Sequence, residues 1–312
     1  MTNVPVPAPR GALFRIWDSD FSYQFRRSPV AIIAAVVLLI WLVAAVFAPW
    51  LAPHNTLDLA TLDLIDARLP PSWLPGGDPR YLLGTDEQGR DMLSAIMFGT
   101  RISLLIGSVA VVLSMLIGVG LGLASGYVGG RLDAFIMRLA DVQLSFPAIL
   151  VALLVNGVLR VLLPRNQNDT LAFVVLIAAI TASGWVQYAR TVRGSTLVEK
   201  GRDYVLAARV IGVGKLAILF KHVLPNVVGP VLILATVQIA TAIITEATLS
   251  FLGVGAPPTR PSLGTLIDNG NKYLYSGEWW ITVFPGLALV MLVLSVNLLG
   301  DWLRDALNPK LQ

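Results

Sequence analysis

Six uncharged runs of about 18 residues or more, the length a helix needs to cross the hydrocarbon of a bilayer, punctuate this chain. They cover 28–57, 102–130, 142–159, 170–189, 222–245 and 279–300. Lipid cannot satisfy free backbone polar groups, so each run is predicted to be a helix. The third helix is expected to begin near Ala134, upstream of its uncharged stretch. The second run carries Ala110, Ser114, Gly118, Gly122 and Gly126 at four-residue spacing. That spacing flattens one helix face and lets another backbone approach closely. Packing within the chain is the favoured reading of Gly118, Gly122 and Gly126, and a moving or intersubunit seam is the alternative.

Composition agrees with the pattern. The 312 residues are 55% hydrophobic and 13% charged, about half the charge of a soluble domain, and the mean hydropathy is +0.73. The chain therefore reads as an all-α integral membrane protein. It has no cysteine, which excludes disulfides and thiolate metal sites, and its two histidines, His54 and His222, are too few and too far apart for a metal site. Met1–Gly11 is proline-rich and reads as a mobile arm. The first run is too long for the core of a cleavable signal and reads as a retained anchor.

Lys and Arg set the expected orientation. With the N-terminus inside, fifteen of the 23 basic residues fall on the cytoplasmic side and eight on the other. Both termini are therefore expected in the cytoplasm, and the net charge of +4 is this bias rather than a nucleic-acid surface. The expected segments are a cytoplasmic arm over 1–28, a first span with an outer loop over 29–101, a core of five spans over 102–303 enclosing an inner loop at 190–224, and a tail over 304–312. A second outer loop covers 253–278.

Four features carry candidate chemistry. In the inner loop, Val205–Ile211 has a short helical pattern that Gly212 can end in a left-handed cap. Ala207 and Ala208 offer a small face to a partner protein, with Arg202, Arg209 and Lys215 flanking it. A helix this short needs a partner surface. Gly212-Val-Gly-Lys-Leu216 hints at a phosphate-binding loop but has Arg209 at the first glycine position and Leu216 at the Ser/Thr position, so no nucleotide site is read here. Asp141 and Glu246 lie at membrane depth and are candidate pathway or gate residues. The competing readings are an ion pair of Asp141 with Arg138, one turn away, and a helix end at Glu246 bonded to its neighbours. The tryptophans Trp41, Trp50, Trp185, Trp279, Trp280 and Trp302 read as interfacial belts.

The Ala207-Ala208-x-x-x-Gly212 core followed by Leu224-Pro225 resembles the "EAA" signature of ABC-importer permeases, a cytoplasmic helix that plugs into a separate ATPase subunit. Leu206 stands where the pattern has Glu, which speaks against a salt bridge there, and His222 where it commonly has Ile. Asp203-Tyr204-Val205 resembles the version found in peptide importers. Further segments resemble the C-type permease subunit of dipeptide, oligopeptide and nickel importers: Phe25-Arg-Arg-Ser-Pro-Val-Ala, Leu83-Gly-Thr-Asp-Glu-Gln-Gly-Arg-Asp91, Met137-Arg-Leu-Ala-Asp141 with Phe146-Pro147, Glu246-Ala-Thr-Leu-Ser-Phe-Leu-Gly253, and Gly300-Asp-Trp-Leu-Arg-Asp-Ala-Leu-Asn-Pro309. The likeness covers nearly the whole chain after about residue 21.

The resemblance implies a type I ABC importer permease fold with six transmembrane helices in the bacterial inner membrane. It implies a heterodimer with a B-type permease subunit, two ATP-binding subunits that handle ATP and Mg, an extracytoplasmic binding protein, and a peptide as substrate. Tyr204, Ala207, Ala208, Arg209, Gly212, Leu224 and Pro225 become the expected ATPase-coupling residues. No bond chemistry and no cofactor are expected in this chain, and its other contact is membrane lipid. Nickel chelates and glutathione-type peptides are alternative cargoes. An ion-coupled secondary transporter is the alternative of another class. It would need acids or broken helices near the midplane, whereas the first, second and sixth runs are uncharged.

Overall fold

The computed structural model describes residues 20–56, 58, 62–162 and 169–306. The arm expected over Met1–Gly11 and most of the tail expected over 304–312 lie outside them. The helices are α1 Asp20–Arg27, α2 Pro29–Val46, α3 Met92–Val128, α4 Gly130–Leu144, α5 Ala148–Leu162, α6 Asp169–Glu199, α7 Asp203–Val210, α8 Leu224–Phe251, α9 Leu263–Asn271 and α10 Trp280–Ala306. One helical turn, Lys215–Ile218, and a π-helical turn, Leu219–Val223, lead directly into α8.

Among the described residues, five helices are long and apolar enough to cross a membrane: α2, α3, α6, α8 with its lead-in, and α10. The third expected span is not a single rod. It divides into α4 and α5, bent by 99°. The cause is local. Pro147 has no N–H, and its ring forces the preceding residue out of helical geometry. Helix α4 accordingly stops at Leu144, with the Ser145 N–H returning to the Asp141 carbonyl at 3.1 Å.

The crossing helices outrun the uncharged runs at several ends. Helix α3 starts at Met92, where the Asp91 side chain caps it by accepting the Ser94 N–H at 2.9 Å. The boundary expected between 101 and 102 thus falls inside a helix. Helix α6 continues to Glu199, so the inner loop expected from residue 190 is helical for its first third. A 37-residue helix is about 55 Å long, against about 30 Å of hydrocarbon. Its first ten residues end in Arg101, so an uncharged run begins only after them although the helix has already started.

Helices α3 and α6 form the centre, and the small-residue face of α3 explains their closeness. A methyl group at Gly118 would lie 2.5 Å from the Trp185 carbonyl oxygen, at Gly122 2.6 Å from that of Ala189, and at Gly126 2.8 Å from Thr196 Cβ. Ser114 donates to the Thr181 carbonyl at 3.2 Å on the same seam. Helix α8 packs on both, and α2 lies at the edge against α10 and α3. The Phe25 ring of α1 meets Trp302 of α10 edge-on at 5.0 Å. The chain therefore enters and leaves the bundle at the same end. That requires an even number of crossings, which counts α4 with α5 as one broken span.

Two tryptophans leave the expected belts. Trp185 and Trp280 are buried, and their ring N–H groups donate to Gln143 Oε1 at 2.9 Å and the Thr85 carbonyl at 3.2 Å. Each serves as a hydrogen-bonded core residue, as buried tryptophans usually do.

Candidate functional site

At the end of the bundle where α6 stops, α7 sits between α6 and the lead-in of α8. Its short length is compensated by specific ties. The Tyr204 hydroxyl donates to Glu199 at the end of α6 and accepts from Asn226 Nδ2 at 3.1 Å at the start of α8. The Arg209 guanidinium lies 5.6 Å from the centre of the Tyr127 ring, near the end of α3. Val205 and Ala208 are buried in the same apolar cluster as Ile218, Val223 and Val227.

Helix α7 ends in a Schellman motif. The Val213 N–H bonds to the Ala208 carbonyl at 3.0 Å and the Gly212 N–H to that of Arg209 at 3.1 Å. Gly212 has φ of +81°, with open space where a side chain would stand. Its requirement is conformational, because a β-carbon is disfavoured in the left-handed region. Leu224 is half-buried and Pro225 exposed, and they are the first two residues of α8, the helix that leaves the site.

The expected Ala207–Ala208 face is corrected here. Adjacent helical residues point about 100° apart, and only Ala207 is exposed while Ala208 packs inward. The outward face is instead apolar and larger: Leu206, Val210, Ile211, Leu216 and Phe220 are all exposed, Val210 at 87% and Ile211 at 78%. Sequence reading missed these residues. Their signal was available, since five large apolar side chains flank a turn too polar to enter lipid.

Residues 62–91 fold into a cap at the opposite end, clamped on the segment 253–279. The Asp86 Oδ1 accepts the N–H groups of Gln88 at 2.8 Å and Arg90 at 2.9 Å. The Arg90 side chain is buried and donates to Gln88 Oε1 at 2.6 Å and to the Pro258 carbonyl at 2.9 Å. Arg68 pairs with Glu278 at 3.3 Å. Gly89, at φ of +77°, passes so close to the Asp63 carbonyl that a β-carbon would lie 2.4 Å from it.

Burial pushes the Asp86 and Glu87 carboxyls above the usual carboxylate range. A raised carboxyl binds more protons folded than unfolded, so the cap loses stability as pH rises from the ordinary carboxylate range through the raised values. Asp86→Ala removes the acceptor of two N–H groups and should cost about 1–3 kcal/mol. Asp86→Asn keeps that oxygen and removes the titrating charge. Its melting temperature should exceed that of Asp86→Ala and fall less on raising the pH than that of the native chain, measured on the purified complex.

The two acids at membrane depth are placed differently. Asp141 pairs with Arg190 of α6, not with Arg138, and is exposed. Although Arg138 sits one turn below, the bundle brings α6 alongside α4. Glu246 is fully buried, accepting from Ser103 and Ser250, each at 2.7 Å. A cleft of about 500 Å³ opens at the cap end, lined by Pro49, Ala52, His54, Asn55, Asp58, Phe98 and Arg101. Neither acid lines it. Among the described residues, no three acids or histidines are grouped as metal ligands.

Comparison with known proteins places this geometry. Residues 118–312 match the family of "binding-protein-dependent transport system inner membrane component" proteins, and residues 16–71 match the "N-terminal TM domain of oligopeptide transport permease C". The chain is 40% identical over 313 residues to the dipeptide transport system permease protein DppC of Haemophilus influenzae, covering 100% of both chains. It is 39% identical to the di/tripeptide transport system permease protein DppC of Pseudomonas aeruginosa, covering 94% of this chain and 92% of that one. The oligopeptide transport system permease protein OppC of Bacillus subtilis is 37% identical, with 95% and 90% covered. The fold is similar to a chain of the inward-facing MetNI methionine ABC transporter, with a TM-score of 0.54, 21% identity, and 70% of this chain and 98% of that chain covered.

Proposed function

Because this chain belongs to the family of binding-protein-dependent transport system inner membrane components, we propose that it is the C-type permease subunit of an ATP-driven peptide importer in a bacterial inner membrane. The observation that carries the mechanism is the exposed apolar face around α7. Val210, Ile211, Leu216 and Phe220 are exposed on the well-anchored α7 turn and the lead-in to α8, an arrangement that suits burial against another protein. In this reading an ATPase subunit covers that face, and a B-type permease subunit completes the pathway. A second ATPase subunit serves that partner permease, and a binding protein delivers peptide at the cap end.

The coupling follows from the anchoring of α7. Closure of the ATPase dimer on ATP moves the covered face. Tyr204 transmits that displacement to α6 through Glu199 and to α8 through Asn226, and Arg209 to α3 through Tyr127. The spans then switch from inward-open to outward-open. Tyr204, Ala207, Arg209, Gly212, Leu224 and Pro225 act by shaping or bordering this contact. Ala208 acts from beneath it. This chain breaks and forms no bonds, and ATP with Mg belongs to the partner subunits.

In this reading α7 and both termini lie in the cytoplasm, as the Lys and Arg bias favours. Since the chain has no cysteine, single cysteines read the orientation directly. Tyr275→Cys, at a residue 97% exposed at the cap end, should react with an impermeant maleimide in intact cells. Lys215→Cys should react only after the membrane is opened. The reverse pattern contradicts the orientation and removes α7 from the reach of an ATPase.

A further inference from the structure

The segment after α8 collects ties from most of the bundle. Asn156 and Arg160 of α5 donate to the Val254 and Gly255 carbonyls at 2.9 and 3.4 Å. Thr259 donates to Asp169 of α6 at 2.8 Å, and Arg90 of the cap reaches the Pro258 carbonyl. What fixes this segment is a buried chain of hydroxyls centred on Glu246. Ser103 of α3 donates to one carboxyl oxygen and Ser250 of α8 to the other. Each serine oxygen also accepts a backbone N–H: Ser103 takes that of Leu263 at 3.3 Å, and Ser250 that of Ala256 at 3.2 Å. Ser262, which caps α9, donates to Ser250 at 3.1 Å. Glu246, Ser103 and Ser262 are each 0% exposed.

Backbone contact is equally close here. A β-carbon at Gly264 would lie 2.4 Å from the Ala247 carbonyl oxygen, and one at Gly99 3.3 Å from the Leu263 nitrogen. Helix α9 thus lies in a slot between α3 and α8, with α10 packed on its remaining side, and has no room to change register. The carboxyl holds both hydroxyl hydrogens, which leaves the serine lone pairs for the two backbone N–H groups. Removing it frees both serines to rotate, and the N–H groups that define the start of α9 and the preceding turn lose their fixed acceptors.

We propose that Glu246 is a positioning residue. It pins α9 into the α3–α8 slot and so fixes the outer mouth as one block, and it does not touch the transported peptide. This deepens the peptide-importer reading above and rests on it for the transport readout.

The test uses the assembled transporter in membranes, with Leu266→Cys as reporter. Leu266 lies in α9 and is 1% exposed. Maleimide labelling of the reporter thiol should be low with native Glu246 and with Glu246→Gln, whose amide can still bond both serines. It should rise at least fivefold with Glu246→Ala. In uptake without the reporter, Glu246→Ala should lower the maximal rate at least fivefold and equally for neutral, cationic and anionic dipeptides, with KM within twofold, and Glu246→Gln should restore the rate. If Glu246→Ala does not accumulate, Ser103→Ala is read in the same labelling assay, and a rise is again expected. Unchanged labelling in Glu246→Ala or Ser103→Ala overturns the proposal. So does a KM that changes for cationic peptides alone, or a Glu246→Gln variant as impaired as Glu246→Ala. Labelling does not depend on cargo, so labelling as expected in a native complex that takes up no dipeptide contradicts the peptide reading alone.

Discussion

Gly118→Leu is expected to abolish the assembled protein, whereas Gly120→Leu, on the same helix, leaves it intact. A β-carbon at Gly118 would sit 2.5 Å from both the Trp185 carbonyl oxygen and Tyr188 Cβ, and 3.1 Å from the Ala189 nitrogen. Two of these are backbone atoms of α6, so no side-chain rotation relieves the clash. The helices must separate, and that opens the most extensive packing in the bundle along Gly122, Gly126 and Ser114 as well. Overpacking usually costs about 1–3 kcal/mol, and a displaced helix pair belongs at or above the top of that range. Gly120 has nothing within 4 Å of its would-be β-carbon, and leucine there adds apolar surface to an already apolar helix. Membrane levels by immunoblot and melting in detergent should separate the two variants clearly. Equal levels and equal melting would mean that the α3–α6 contact is not what holds the bundle.

The second large effect is on assembly, with the fold preserved. Ile211→Asp places a charge on a residue 78% exposed beside the Schellman turn, so the isolated chain loses little. If the face is covered by an ATPase subunit, the same charge is buried without a partner, which costs several kcal/mol. Each 1.4 kcal/mol is tenfold in affinity. ATPase retention on a tagged permease should therefore fall at least tenfold, at unchanged permease level, and uptake should fall with it. Val210→Asp should behave alike. Ala208→Asp is a different experiment, because Ala208 is buried within its own chain and the variant should lower permease level as well. Full retention by Ile211→Asp would move the docking surface elsewhere.

Much of this was legible in the sequence. Lipid admits little but helices, so uncharged length alone located all six crossings, and the four-residue spacing of Gly118, Gly122 and Gly126 marked the seam. The misreadings share a cause. Charge marks where lipid ends, not where a helix ends, so α3, α6 and α8 were each drawn short. The Ser145–Pro147 break was visible as a proline, yet the uncharged run passes straight through it and joins α4 to α5. Helix α9 was hidden because its amphipathic pattern is brief and lies among Pro and Gly. The partners of Asp141 and Glu246 were beyond reach for another reason. Arg190 lies on α6 and Ser103 on α3, and neither meets its acid until the bundle closes. In α7 the sequence placed the helix and its glycine, but helical geometry alone splits Ala207 from Ala208 and turns Val210 and Ile211 outward.

In the proposed function, this chain moves peptide only when an ATPase acts through it. The direct measurement is uptake of a labelled dipeptide into proteoliposomes holding the complete complex, with binding protein supplied on the cap side and ATP on the α7 side. Accumulation should require ATP, binding protein and ATPase subunits together, and should be lost in the Ile211→Asp complex. Accumulation by this chain alone, driven by an ion gradient with no ATP present, would contradict that function.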